Sequence, residues 1–220
     1  MYFSKTVAIL LLTSSLTFAQ TLEDGRFYIG ANIGMNIPTV DAQSNDDGRK
    51  SSMTLGKAAA MYDLHVGWRI YLENSFHGIE FSFKDSNAEG NYVMNASSNF
   101  GGDFYTNKSY DLSYKGGYEF TPKTYLTGRI GYGRIDVAHS IRGSSEILNG
   151  TFNDSINAFI LGLGLEYAIT SNVNMTAEYN YRFGEDIEKR HMYLDNSGDY
   201  TDIKGDFTDH SLLLGVNYLF

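Results

Sequence analysis

The chain has 220 residues with no cysteine, two prolines, 23 glycines, 17 tyrosines and 14 phenylalanines, a formal net charge of -9 and a sequence pI of about 4.9. Lack of cysteine excludes a disulfide scaffold, a thiolate zinc site and thiol nucleophile chemistry, and the acidic balance argues against a general nucleic-acid binder, which needs a basic face to release phosphate counterions. No apolar run approaches the ~18–20 residues that a helix needs to cross a bilayer, while glycine paired with aromatic residues suits strands better than helices.

The first element in chain order is an address. Lys5 gives a positive start, Val7 to Leu12 form an apolar run extended by Leu16 and Phe18, and Thr17-Phe18-Ala19 ends on a small residue. Residues 1–19 are expected to be a secretory signal peptide cleaved before Gln20; a short buried helix is the competing reading. Without Lys5, 16 basic residues face 26 acidic ones, so residues 20–220 carry -10. An exported chain without disulfides must find its stability elsewhere.

From Phe27 the chain alternates with period two, the mark of a strand with two unlike faces. Phe27, Ile29, Ala31, Ile33 and Met35 oppose Tyr28, Gly30, Asn32, Gly34 and Asn36. A second run sets Ala60, Tyr62, Leu64, Val66, Trp68 and Ile70 against Met61, Asp63, His65, Gly67 and Arg69. A third opposes Ile79, Phe81 and Phe83 to Gly78, Glu80, Ser82 and Lys84, and a fourth Tyr110, Leu112, Tyr114, Tyr118 and Phe120 to Asp111, Ser113, Lys115, Gly117 and Glu119. In the fifth, Leu126, Ile130 and Tyr132 oppose Thr127, Arg129 and Gly131; Ile135 and Val137 then fall out of phase, which predicts a bulge or the strand's end. The sixth alternates from Phe159 to Tyr167 against Ile160, Gly162, Gly164 and Glu166, the seventh from Val173 to Phe183 against Asn174, Thr176, Glu178, Asn180 and Arg182, and the eighth from Leu212 to Phe220 against Ser211, Leu213, Gly215, Asn217 and Leu219.

Connectors alternate as regularly. Leu72 to His77, Thr121 to Lys123 and Ala168 to Asn172 are short, whereas the stretches near Ile37–Lys57, Asp85–Asp103, Asp136–Asn153 and Gly184–Asp206 are long and polar. The pattern predicts an eight-stranded, all-β, antiparallel up-and-down meander with four long loops at one end and both mature termini at the other.

Alternation alone does not separate a soluble sandwich from a membrane barrel; the residues on each face do. One face is almost free of charge and ends in aromatics, and on the sixth strand Phe159 and Tyr167 bracket three leucines over about 26 Å at ~3.3 Å per residue. That matches the ~25 Å apolar band and aromatic girdles of a transmembrane β-barrel. The other face holds Asp63, His65, Arg69, Glu80, Lys84, Asp111, Lys115, Glu119, Arg129, Glu166, Glu178 and Arg182. Closure follows because lipid cannot satisfy an open strand edge, and eight strands enclose just enough room for side chains. Six acids against five bases on this face point to mutual pairing in a plugged lumen, with glycines such as Gly67 and Gly117 making room.

On the segments Phe27-Tyr28-Ile29-Gly30-Ala31-Asn32-Ile33-Gly34, Leu163-Gly164-Leu165-Glu166-Tyr167, Ala177-Glu178-Tyr179-Asn180-Tyr181-Arg182 and Leu214-Gly215-Val216-Asn217-Tyr218-Leu219-Phe220, the chain resembles the small eight-stranded outer-membrane barrels of Gram-negative bacteria: the OmpA membrane domain, OmpX and the opacity-type, porin-like surface antigens. The resemblance implies an outer-membrane location, lipid as environment, and Tyr218 and terminal Phe220 as the signal for the barrel-assembly machinery. It implies no peptidoglycan-binding domain after the barrel.

Some barrels are enzymes, and in those a histidine often carries the acid–base work. None of His65, His77, His139, His191 and His210 has a serine two residues on, the pair that the lipid deacylases resemble. Asp209-His210 and His139-Ser140 are adjacent and point to opposite faces of a strand. Asp63 and His65 share the inward face and could pair for general-base work, although a place in the lumen network beside Arg69 is the plainer reading. Asp195, Ser197, Asp199 and Asp206 fall at calcium-loop spacing, but Tyr200 stands where glycine is required and Asp206 where glutamate is usual, so a solvated acidic loop is expected. No catalytic residue, cofactor or metal is assigned, and a monomer is expected. The leading expectation is a non-enzymatic surface barrel whose long loops meet a host or other partner or serve envelope integrity. A narrow diffusion channel is the alternative, and a barrel hydrolase acting on lipid or peptide the third.

Overall fold

The computed structural model describes residues 25–46, 49–95, 100–142, 150–185, 187–193 and 200–220. The signal-peptide segment, together with Asp195, Ser197 and Asp199 of the calcium-like spacing, lies outside them. The described strands are β1 (Gly25–Asp46), β2 (Arg49–Gly56), β3 (Ala59–Leu72), β4 (Ser75–Asn95), β5 (Phe100–Thr121), β6 (Thr124–Arg142), β7 (Gly150–Ala168), β8 (Val173–Gly184), β9 (Ile187–Tyr193) and β10 (Tyr200–Leu219). Every pairing is antiparallel, and the sheet closes where β1 pairs with β10 from Tyr28↔Leu219 to Asp46↔Thr201. β1, β3, β4, β5, β6, β7, β8 and β10 form a closed eight-stranded barrel.

The register fixes its shape. From Ile29 the pairing runs through Val66, Phe81, Leu112, Tyr132, Phe159, Phe183 and Thr208 and returns to β1 at Thr39, ten residues from where it started. Ten residues of stagger over eight strands set ~4.8 Å apart tilt them by about 40°, within the range of closed barrels. Outward side chains such as Ile33, Leu64, Leu112, Leu163 and Leu214 are exposed along the wall, as in a protein solvated there by lipid.

The segments expected to be long loops are for the most part strand. β1 runs ten residues past Asn36 and turns back as β2; β4 and β5 continue to Asn95 and Phe100, β6 and β7 to Arg142 and Gly150, and β10 starts at Tyr200. Period two vanishes there in the sequence because, beyond the apolar band, no lipid-facing side demands an apolar residue. At this long-hairpin end the wall divides. Among the described residues β2 bonds only β1 and β9 only β10, while β3 pairs with β4 no further than Met61↔Ser86 and β7 with β8 no further than Ala158↔Gly184. Two four-stranded ladders, β2-β1-β10-β9 and β4-β5-β6-β7, thus continue past the barrel without bonding each other among the described residues, β2 still lying beside β4.

Two further details depart from the expectation. Ile135 and Val137 mark no break in β6, which continues without interruption; both are buried inside the barrel. The bulge belongs to β5, where Asn107 and Lys108 together oppose the single Asp136 between the pairs Thr106↔Val137 and Ser109↔Ile135. The short turns fall where the sequence puts them, Glu73-Asn74 and Pro122-Lys123 being two residues each, with Glu73 at a φ of 36°.

Candidate functional site

The inward faces of the eight walls converge on one network. Asp63 on β3 accepts from Asn32 at 2.9 Å and meets His65 Nδ1 at 2.6 Å; His65 Nε2 lies 2.7 Å from Asn217 Oδ1 across the β1–β10 closure. Lys84 on β4 stands 2.9 Å from Asp111 and 3.8 Å from Asp63. Asp111 also takes Arg182 Nη2 at 2.6 Å, and Arg182 reaches Asp209 at 3.5 Å. A second knot ties Glu80 to Arg129 and to the Tyr28 hydroxyl, 2.8 Å away, while Glu178 binds Lys115 and Arg129. Alternation builds this cluster: each of these walls turns every second side chain to the axis, so charges far apart in sequence meet.

Toward the short turns the network meets rings. Arg69 bonds Glu166 at 2.6 Å, and its guanidinium lies 4.6 Å from the Phe76 ring centroid and 5.0 Å from that of Tyr28. Phe76 in turn packs on Tyr125 at 5.5 Å. Two glycines allow this: a Cβ on Gly117 would stand 2.6 Å from Phe76 Cζ, and one on Gly67 2.6 Å from Tyr28 Cε1. Toward the long hairpins the lumen turns apolar again, with Val40, Ala88, Ile135, Val137, Ile156 and Phe207 all buried. The lumen thus has three layers, ionic in the middle and apolar on either side.

Of the twelve inward charged residues expected from the sequence, eleven are buried here: Asp63, His65, Arg69, Glu80, Lys84, Asp111, Lys115, Arg129, Glu166, Glu178 and Arg182. Glu119 is brought elsewhere, half-buried beside the short turns, and forms no ion pair among the described residues. Asp209 takes its place and was missed. It shares the parity of Ser211, Leu213 and Asn217, and extending the eighth strand by two residues would have found it. The apolar layers were missed too, because an inward face taken as polar makes Ile135 and Val137 look misplaced. Tyr218 and Phe220 point outward at the end of β10, ring centroids 5.1 Å apart. Asp63 and His65 do meet, but at side-chain exposures of 0% and 1%, enclosed on all sides by the network.

Comparison with known proteins now places the chain. Residues 6–220 match the family described as outer membrane protein beta-barrel domain. The chain belongs to this outer-membrane β-barrel family. Its location is accordingly the outer membrane. Among curated outer-membrane proteins, the 31 kDa outer-membrane immunogenic proteins of Brucella melitensis and Brucella suis are each 34% identical to it over 108 residues, 47% of this chain and 42% of theirs. The chain thus spans less than half the length of these relatives. Among solved barrels, the outer membrane protease OmpT of Escherichia coli aligns with 88% of this chain and 97% of its own at a TM-score of 0.50 and 12% identity. Ail, the attachment invasion locus protein of Yersinia pestis, aligns with 88% of this chain and 99% of its own at 0.43 and 20%. The likeness to OmpT is one of fold alone, and the activities of both solved proteins are their own.

Proposed function

We propose that the chain is a non-enzymatic surface barrel: a signal peptide over residues 1–19 directs residues 20–220 to the outer membrane, the filled lumen serves stability rather than passage, and the four long hairpins face outward for contact with a host or other partner. The observation that carries this reading is the division of the wall at the long-hairpin end into two ladders. An unpaired strand edge in water invites an extended partner strand, and a rigid barrel beneath is the usual support for such contacts. The ionic layer and its apolar flanks support a plugged lumen: near-balanced charges in mutual contact leave no ring of one sign to select ions. The enclosure of Asp63 and His65 speaks against general-base work, since a reacting group must reach the base. The short turns then face the periplasm, as is usual for such barrels, and Tyr218 and Phe220, presented outward on the last strand, serve as the contact for the barrel-assembly machinery.

The test uses intact cells expressing the full chain or variants in which each long hairpin is shortened to a tight turn, with folding checked by heat-modifiable gel mobility. Shortening at least one hairpin is expected to reduce adhesion to host-cell or matrix-coated surfaces, or to raise sensitivity to detergent if envelope integrity is the role. Adhesion and detergent resistance unchanged with all four shortened would overturn the proposal.

A further inference from the structure

At the short-turn end the lumen opens into a cup of about 580 Å³, walled by Gly25 and Arg26 of β1, Tyr71 of β3, Tyr125 of β6 and Asn174 of β8. Its charges are unevenly matched. Arg26 stands directly across from Arg69 in the β1–β3 register, and like charges opposed on one face of a sheet destabilise it. The two share one carboxylate, Glu166, which bonds Arg69 Nη1. Arg69 Nε and Nη2 have no hydrogen-bond partner among the described residues, although the side chain is 1% exposed, and Arg26 donates to the Ser171 carbonyl at 3.1 Å without meeting a carboxylate there. Arg69 lies under the cup: its guanidinium is 5.2 Å from the Tyr71 ring, and its partner Glu166 also accepts from Asn174. On the far side the imbalance is reversed. Glu119 of β5 pairs in register with Tyr125 and forms no ion pair among the described residues.

Between these two sides runs a floor of rings. Tyr71, Phe76 and Tyr125 follow one another from β3 through β4 to β6, with centroids 6.0 and 5.5 Å apart. An occupant that suits the cup therefore brings carboxylates to the β1 side, an apolar group to the middle and N–H donors to the β5–β6 side. Residues 20–24, Gln20-Thr21-Leu22-Glu23-Asp24, carry these groups in that order back from Gly25, which is itself part of the wall. Their length also fits. Eight strands ~4.8 Å apart and tilted by about 40° enclose a ring about 16 Å across, and five extended residues at ~3.3 Å each reach about as far.

We propose that residues 20–24 of the mature chain cross the short-turn mouth and close it, with Glu23 and Asp24 supplying carboxylates to the Arg26–Arg69 pair, Leu22 covering the rings, and the amino-terminal N–H groups of Gln20 donating to Glu119. The proposal rests on cleavage before Gln20 and on the filled lumen put forward above. Because the segment is joined directly to the wall of its site, binding is intramolecular and needs little intrinsic affinity.

The experiment is disulfide cross-linking in cells that express the full chain, which has no cysteine of its own. One variant carries Thr21→Cys with Tyr125→Cys. A second carries Thr21→Cys with Asn74→Cys, Asn74 being exposed in the β3–β4 turn. Heat-modifiable gel mobility selects folded barrels. A segment held across the mouth should cross-link to position 125 about tenfold faster than to position 74, since fixed geometry raises effective concentration. Adding Glu23→Gln with Asp24→Asn, or Arg26→Ala, should remove most of that preference. Equal rates at both positions, or a preference that survives loss of both acids, would overturn the proposal. Intact mass of the purified barrel reports the cleavage site separately. A chain that begins at Gln20 and shows equal rates rejects the docking alone, whereas a chain that begins elsewhere rejects the cleavage site and the length match with it.

Discussion

Arg129 offers the sharpest energetic test of the lumen. It bonds Glu80, lies 3.2 Å from Glu178, and its side chain is 3% exposed. Replacing it with methionine, which is close in length and carries no charge, leaves two buried carboxylates with Lys115 as their remaining cation, bound to Glu178 but 3.8 Å from Glu80. The buried set then holds six acids (Asp63, Glu80, Asp111, Glu166, Glu178, Asp209) against four bases instead of five. Removing one partner of a buried ion pair costs about 3–5 kcal/mol, or roughly two to nearly four powers of ten in the unfolding equilibrium at ~1.4 kcal/mol per tenfold. Adding Glu80→Gln should restore part of that loss, giving a coupling energy of about 2–3 kcal/mol. The assay is urea unfolding of the barrel in lipid vesicles, followed by fluorescence of Trp68, the single tryptophan of the chain, and by gel mobility. Lys57–Glu89, exposed and 3.3 Å apart, is the control: a surface pair contributes about 1 kcal/mol or less. Arg129→Met within about 1 kcal/mol of wild type, or strictly additive single variants, would refute the reasoning.

Gly117→Ala should destabilise the barrel by about 1–3 kcal/mol through overlap with the Phe76 ring, whereas Gly128→Ala, with no heavy atom within 4 Å of the new methyl, should change stability by no more than about 0.5 kcal/mol; gel-shift melting curves compare the two. Leu163→Arg, in the middle of the apolar band and 68% exposed, should cost about 2–4 kcal/mol in vesicles, and a cost near zero would remove lipid from that face. Cells producing wild type and His65→Gln should show the same lipid A mass spectrum, while a species that depends on His65 would restore the hydrolase reading.

The parts of this structure written plainly in the sequence are those where two solvents meet across one strand. Phe27 to Met35 and Phe159 to Tyr167 have lipid on one side and a packed polar interior on the other, and such asymmetry writes itself as period two. Eleven members of the lumen network were legible for that reason. Asp41-Ala42-Gln43-Ser44-Asn45-Asp46 is also strand, but it lies past the apolar band and carries no such pattern. Asp209 was hidden at the same border, since alternation fades two residues before the network ends. The apolar lumen layers were illegible for another reason: Ile135 and Phe207 are as apolar as a lipid-facing residue, and only the register shows on which side of the wall they lie. The bulge at Asn107 and Lys108 is marked by no spacing rule.

The proposed function requires a filled lumen and a working surface on the outside of the barrel. Planar-bilayer recording of the refolded wild-type chain tests it most directly. The layered lumen predicts no reproducible unitary steps above membrane background. A stable conductance that shifts in size or ion preference on substituting Glu166 or Arg129 would contradict the claim and establish a channel in its place.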